Sequence, residues 1–200
     1  HDALPICKGF RITGAIDGDL LTNSSWTGVG DVNGDGYQDV MVSFNTTANG
    51  SYSSDGAYDT NYIVYGQSGG WTAPTTWASS TTINGKPAIT KITPESGYWI
   101  NGTFSKLGDI NADGFDDLLI SGYGRSSDPS DYNYKDNGGM YVVFGKANNA
   151  NGNDLNLADL SMNLSTNDLL TKNKGFRITG GVDFEKAGMG SWTGVGDMNG

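Results

Sequence analysis

A nine-residue stretch occurs twice in this chain, as Asp31-Val-Asn-Gly-Asp-Gly-Tyr-Gln-Asp39 and as Asp109-Ile-Asn-Ala-Asp-Gly-Phe-Asp-Asp117, and it begins a third time at Asp197–Gly200. Oxygen-bearing side chains occupy its first, third, fifth and ninth positions, and a glycine at the sixth position permits a sharp turn. Together with the main-chain carbonyl of the seventh residue, this spacing suits a hard cation that takes six to eight oxygen ligands. The pattern predicts calcium loops. An Asx-rich turn without metal is the alternative, and it explains repeated occurrence less well.

The residues after each loop indicate which kind of calcium loop this is. An EF-hand carries a bidentate Glu at its twelfth position and is flanked by helices. Here the twelfth residues are Val42 and Ile120, within the short apolar runs Val40–Phe44 and Leu118–Ser121, which predict buried strands. The same difference excludes a dockerin-type loop. The loop is therefore expected to close with its ninth-position Asp.

The composition favours an all-β protein with many turns. The formal net charge is -10, and among the 22 acidic residues only Glu95 and Glu185 are glutamate. Aspartate favours turns and metal loops, whereas glutamate favours helices. The 31 glycines and 36% hydrophobic content point to short strands separated by turns. No basic patch is present that could neutralise phosphates, so nucleic acid is not an expected partner.

Few residues are available for catalysis. The only histidine is His1 and the only cysteine is Cys7, so a Ser-His-Asp triad or Cys-His pair would need His1, and no internal disulfide can form. Carboxylate-pair chemistry stays open, but the best-spaced aspartates lie in the loops. We therefore predict that the chain is not an enzyme.

The predicted setting is extracellular. No apolar stretch approaches the ~18 residues of a membrane span, and the chain does not open with a charged and then apolar leader. Because calcium is abundant outside cells and such loops are usually matched to it, we expect a secreted protein at the cell surface or in the extracellular space, without membrane insertion.

The similarity between the copies extends beyond the loops. Gly9–Gly14 recurs as Gly175–Gly180, and Ser25–Asp31 recurs as Ser191–Asp197. Downstream, an apolar segment ends in a glycine 27 residues after the ninth-position Asp in the first copy and 28 residues after it in the second. Each unit is predicted to hold about four strands. In the first unit these are Phe10–Ile12, Trp26–Val29, Val40–Phe44 and Tyr62–Tyr65.

This combination of loop, apolar strand and aromatic-glycine strand end resembles the FG-GAP repeat of integrin alpha-chain propellers and bacterial surface proteins. The bacterial form is the more similar one, because its units join an end like Val142–Lys146 to a Leu-rich linker, here Leu155–Leu160, and a Gly-Phe-Arg-Ile segment, here within Gly175–Gly180. The resemblance covers roughly residues 9 to 200, with linkers Gln67–Pro87 and Asn148–Lys174 matching only loosely.

The resemblance implies an all-β fold of β-propeller blades, namely two complete four-stranded blades and the start of a third. The implied division is an N-terminal segment (1–8), a first blade (9–87), a second blade with an Asn/Leu-rich linker (88–174) and an incomplete third blade (175–200). Because propellers usually have ~4–8 blades, we expect the 200 residues to be part of a longer protein. Strand exchange between neighbouring copies is the alternative.

The resemblance also implies the calcium ligands. They are Asp31, Asn33, Asp35, Asp39 and the carbonyl of Tyr37 in the first loop; Asp109, Asn111, Asp113, Asp117 and the carbonyl of Phe115 in the second; and Asp197 and Asn199 in the third. Asp116 stands at a non-ligand position, and we expect it to face solvent.

The strong motifs are all structural, so we predict a non-catalytic, calcium-stabilised extracellular module for adhesion, surface assembly or scaffolding. Its partner would be a protein, a glycan or further copies of itself. The polar segments Asn45–Thr60 and Gly122–Gly138 could build the binding face, with tyrosines at 52, 58, 123, 132 and 134. The alternatives are an accessory module of a larger secreted enzyme and a carbohydrate-binding propeller. The latter would use Trp71, Trp77, Tyr98 and Trp99.

Overall fold

The structure is a computed structural model that describes residues 19–20, 26–46, 59–68, 81–83, 85–94, 98–100, 103–124, 139–147, 155–157, 160, 174–179 and 194. Within these residues the chain forms β-strands and contains no α-helix. The strands are, in chain order, β1 (Asp19–Leu20), β2 (Trp26–Gly30), β3 (Asp39–Thr46), β4 (Asp59–Val64), β5 (Thr82–Ile83), β6 (Lys86–Pro87), β7 (Ile89–Thr93), β8 (Tyr98–Trp99), β9 (Phe104–Gly108), β10 (Asp117–Gly124), β11 (Gly139–Val143), β12 (Leu155–Asn156) and β13 (Gly175–Thr179).

Two antiparallel sheets repeat the same arrangement. In the first, neighbouring strands follow the order β2, β3, β4, β7, with β1 paired to the far end of β3 and β12 added to β7 as a parallel strand. In the second, the order is β9, β10, β11, β13, with β8 paired to the far end of β10. A short pair, β5 with β6, stands apart. The all-β prediction is confirmed, as are the first-unit strands that correspond to β2, β3 and β4. The predicted strand Phe10–Ile12 lies outside the described residues.

The hydrogen-bonded sheets are offset by one strand from the units that the sequence repeat suggests. The repeat groups the segment around Thr90 with the second loop, but β7 pairs with β4 in the sheet of the first loop. In the same way β13, which the repeat groups with the third loop, pairs with β11. Each of these strands supplies main-chain partners to an edge that would otherwise stay open.

The core lies between the two sheets and continues on their outer faces. Side chains alternate along a strand, so Met41 joins the cluster between the sheets while Val42 joins a cluster on the other face. In the second sheet Leu118 and Ile120 point to the shared cluster and Leu119 to the opposite face. Strands β2 and β9, each of which leads into a loop, contact one another. The two loops therefore lie at the same end of the paired sheets.

Candidate metal centre

Each loop connects two antiparallel strands of one sheet. The first runs from the end of β2 to the start of β3, and the second runs from the end of β9 to the start of β10. The pairing register shifts at the base of both hairpins, between Gly28 and Gly30 in the first and between Asp117 and Leu118 in the second. Such an irregularity bends the strand and re-aims side chains beside the turn.

The first, third and fifth side chains of the first loop turn onto its own main chain. The N–H of Asp35 donates to Asp31 Oδ1 at 3.0 Å and to Asn33 Oδ1 at 3.1 Å. The N–H of Gly36 donates to Asp31 Oδ2 at 2.8 Å, and that of Tyr37 donates to Asp35 Oδ1 at 3.0 Å. Oxygens from two ligand positions thus meet at a single nitrogen. The sixth-position glycine has a φ of 89°, which L side chains rarely adopt.

The second loop repeats these bonds nearly unchanged. The N–H of Asp113 donates to Asp109 Oδ1 at 3.0 Å and to Asn111 Oδ1 at 3.1 Å. Gly114 donates to Asp109 Oδ2 at 2.8 Å, and Phe115 donates to Asp113 Oδ1 at 3.1 Å. Because the two loops share the residues at positions one, three, five, six and nine but differ at the other four, the common conformation is a property of the motif itself.

The ninth-position Asp closes each hairpin from inside the protein. Asp39 is fully buried, and its carboxylate accepts the N–H of Val32 at 2.8 Å and the N–H of Gly66, just beyond β4, also at 2.8 Å. Asp117 is equally buried and accepts the N–H groups of Ile110 and Gly145, both at 2.9 Å. One carboxylate thus joins the start of the loop to the end of a neighbouring strand.

Burial makes these two carboxyl groups unusual. Desolvation raises the pKa of Asp39 from 3.8 to about 7, against the opposite effect of the N–H groups of Gly66 and Val32. Desolvation likewise raises the pKa of Asp117, again opposed by its two N–H donors, Gly145 and Ile110. The neighbouring carboxylates of each loop also raise the pKa of its ninth-position Asp, but less than burial does. A nearby cation would favour the ionised form of both groups.

The residues fit calcium through their donor chemistry. All proposed ligands offer oxygen, the donor that Ca²⁺ prefers, and a carboxylate oxygen that accepts one N–H retains a second lone pair. Across the described part of the chain, no group of three or more His, Cys, Asp or Glu side chains converges closely enough to hold a metal ion by itself. A donor set in either loop would therefore have to include oxygens other than carboxylates, such as the amide oxygen of the third residue.

In each loop the side-chain oxygens of the first, third and fifth residues accept N–H groups of the same loop. The ninth residues, Asp39 and Asp117, instead join the loop to the segment after a neighbouring strand. Asp197 and Asn199, the predicted ligands of the third loop, lie outside the described residues, as do His1, Cys7, Trp71 and Trp77.

The prediction that Asp116 faces solvent is wrong. Its side chain is only 18% exposed and accepts hydrogen bonds from the N–H of Asp31 at 2.7 Å and from Lys106 Nζ at 2.7 Å. The cause is the packing of one loop on the other, which a position count along a single loop does not reveal.

Sequence reasoning also missed the partners of the ninth-position Asp. Gly66 and Gly145 are the glycines whose distance from that Asp is nearly the same in both copies, 27 and 28 residues. That nearly equal spacing was the available signal, because it places a glycine just after the neighbouring strand in both copies. Added Cβ atoms at both glycines would meet main-chain oxygen within 2.5 Å or less, so no larger residue fits without movement.

Comparison with known protein families and with curated proteins finds no match to this chain. Within the described residues, no helix has the length and apolar character needed to cross a membrane.

Proposed function

We propose that the first and second loops each bind one calcium ion, and that the ions stabilise the fold rather than take part in a reaction. The observation that carries this proposal is the repetition, in two separate hairpins, of side-chain oxygens at the first, third and fifth positions that accept main-chain N–H groups of their own loop. Hydrogen bonds to main-chain N–H groups hold these oxygens in place before any cation arrives, which lowers the ordering cost of binding.

A bound cation would supply charge neutralisation. Each loop carries three carboxylates at proposed ligand positions within nine residues, and the chain has a net charge of -10. Without a cation these carboxylates repel one another, and the buried one at the ninth position is costly to ionise. The residues of the chain bring the oxygens together and anchor the loop base, and the ion offsets their repulsion.

The wider function that we propose is that of a non-catalytic, calcium-stabilised extracellular module for adhesion, surface assembly or scaffolding, built from FG-GAP-type propeller blades. Two features support it. The strands β2, β3, β4, β7 and β9, β10, β11, β13 form two equivalent four-stranded antiparallel sets, and each sheet buries apolar side chains on both faces, as stacked blades require. The millimolar affinity usual for extracellular modules suits such loops.

Calcium titration by calorimetry, together with thermal unfolding in calcium and in EDTA, tests the metal part of this proposal. We expect saturable calcium binding and a higher unfolding temperature with calcium than with EDTA. Asp35→Asn and Asp113→Asn should each remove binding at one loop. Asp136→Asn, which changes the same net charge outside the motifs, is the matched control and should leave binding intact. Equal unfolding temperatures with calcium and EDTA would contradict the proposal.

A further inference from the structure

The two loops form a direct interface. Asp116 of the second loop makes two hydrogen bonds to Asp31 of the first. The N–H of Asp116 donates to the carbonyl of Asp31 at 3.0 Å, and the N–H of Asp31 donates to Asp116 Oδ2 at 2.7 Å. Just after β11, the N–H of Lys146 donates to the carbonyl of Val32 at 2.8 Å. Two consecutive residues of the first loop are thus held by the second repeat.

Steric fit accompanies these bonds. A Cβ added at Gly34 would lie 2.5 Å from the ring of Phe115, so the ring packs directly on the first loop. Val32 is only 4% exposed, whereas Ile110, the equivalent residue of the second loop, is 51% exposed. Among the described residues the contact is therefore asymmetric, because the second loop covers Val32 of the first while the equivalent Ile110 is exposed.

The interface joins residues on the two proposed metal sites. Asp31 supplies the first ligand of one loop. Asp116 stands between Phe115 and Asp117, the last two proposed ligands of the other. Any change in the second loop that moves Asp116 must also move or release the main chain at Asp31, which both accepts from and donates to that residue. Lys106 restrains the same carboxylate through its ion pair at 2.7 Å.

We infer that the two loops bind their cations as a coupled pair and that Asp116 is the positioning residue that links them. This inference rests on the proposed calcium function. Ordering the second loop around its ion holds the Asp116 carboxylate against the N–H of Asp31, and this hydrogen bond holds the first ligand of the other loop in its binding conformation. Reciprocity requires that binding at the first loop favours binding at the second by the same factor.

Terbium luminescence separates the two sites. Terbium is a hard cation that takes oxygen ligands, and the first loop carries Tyr37 at its seventh position where the second carries Phe115. With excitation at a wavelength that tyrosine absorbs and phenylalanine does not, the part of the terbium luminescence that Tyr37→Phe removes should report terbium in the first loop. Displacement by calcium then gives the calcium affinity of the same loop.

The test disables the second loop and measures the first. Asp113→Asn removes a carboxylate ligand but keeps an oxygen that accepts the N–H of Phe115, and circular dichroism checks that the chain stays folded. We expect this change to weaken terbium binding at the first loop by roughly fivefold or more. In an Asp116→Ala background the same change should alter that affinity by less than about twofold, which is below the usual range of coupling.

Two further variants identify the link itself. Gln38→Ala is the matched control, because Gln38 occupies the eighth position of the first loop and is exposed, so coupling should persist. Asp116→Asn keeps an oxygen for the N–H of Asp31 and should also retain coupling. Coupling that is lost as fully in Asp116→Asn as in Asp116→Ala would overturn the hydrogen bond as the link. Full affinity at the first loop after Asp113→Asn would overturn coupling, whereas absence of saturable terbium binding would overturn the calcium proposal as well.

Discussion

Replacement of Asp39 by alanine tests how far the ninth-position carboxylate holds the hairpin together. Asp39 is fully buried, and each of its oxygens accepts one main-chain N–H at 2.8 Å, from Val32 and from Gly66. Alanine offers no acceptor, so both N–H groups lose their partner. A buried donor left unsatisfied costs about 1–3 kcal/mol, which gives a loss of roughly 2–6 kcal/mol in the free energy of unfolding.

Relief of the buried charge acts in the opposite direction, and the choice of pH separates the two effects. Because desolvation raises the pKa of Asp39 to about 7, the native group carries little charge in a more acidic buffer. Urea unfolding in a mildly acidic buffer with EDTA therefore reports mainly the lost hydrogen bonds. Asp39→Asn keeps one acceptor oxygen but turns its NH₂ group toward the other main-chain N–H, so it should still lose at least the ~1–3 kcal/mol of one unsatisfied donor.

The equivalent change in the other loop provides an internal comparison. Asp117 is buried to the same extent and accepts two N–H groups at 2.9 Å, so Asp117→Ala should cost a similar amount. A loss below about 1 kcal/mol for both alanine variants would show that the N–H groups find other partners, and the proposed role of the ninth residue would be refuted.

Three further predictions concern pH, backbone strain and the ion pair. In EDTA, the free energy of unfolding should fall as the pH rises from 3.8 to about 7, because the raised pKa of Asp39 lets the native state keep a proton that the unfolded chain has released. Urea unfolding at several pH values in this range measures the effect. The free energy of unfolding should change less with pH in Asp39→Asn. Ala112 has a φ of 58°, so Ala112→Gly should raise the free energy of unfolding by up to ~1 kcal/mol. Gly34→Ala should lower the free energy of unfolding by ~1–3 kcal/mol, because the added Cβ meets the Phe115 ring. Thermal unfolding measures both, and a destabilising Ala112→Gly would contradict the strain argument. Lys106→Gln should lower the free energy of unfolding by no more than ~1 kcal/mol, since the lysine side chain is 43% exposed. The difference in stability between the variant and the unchanged chain should shrink in high salt. A loss above ~2 kcal/mol would contradict a weak, exposed ion pair.

The sequence predicted the loop hairpins well because they depend on neighbours in the chain. Side-chain oxygens at the first and third positions reach N–H groups two to five residues away, and such short-range bonds follow from spacing alone. The strands on either side were predictable for the same reason, since their apolar residues follow the loop directly.

Pairings between distant segments were less predictable. Whether β7 joins the sheet before it or the sheet after it depends on which edge lacks a partner, and the repeat in the sequence does not show this. The partly buried position of Asp116 likewise depends on a contact with Asp31, 85 residues earlier. A charged residue at a non-ligand position gives no local sign that it will meet a main-chain N–H of another loop.

Comparison of the two loops shows which of their features follow from the local sequence and which follow from packing. Their internal hydrogen bonds agree closely, yet the second residue is buried in one loop and half exposed in the other. A difference in cation affinity between the loops therefore cannot come from the side-chain oxygens, which are of the same type and similarly held. One source is the contacts of the first loop with Asp116, Phe115 and Lys146, which restrict its main chain before a cation binds. A second is Ala112, whose φ of 58° strains the other loop. On this reasoning the first loop is the more preorganised of the two.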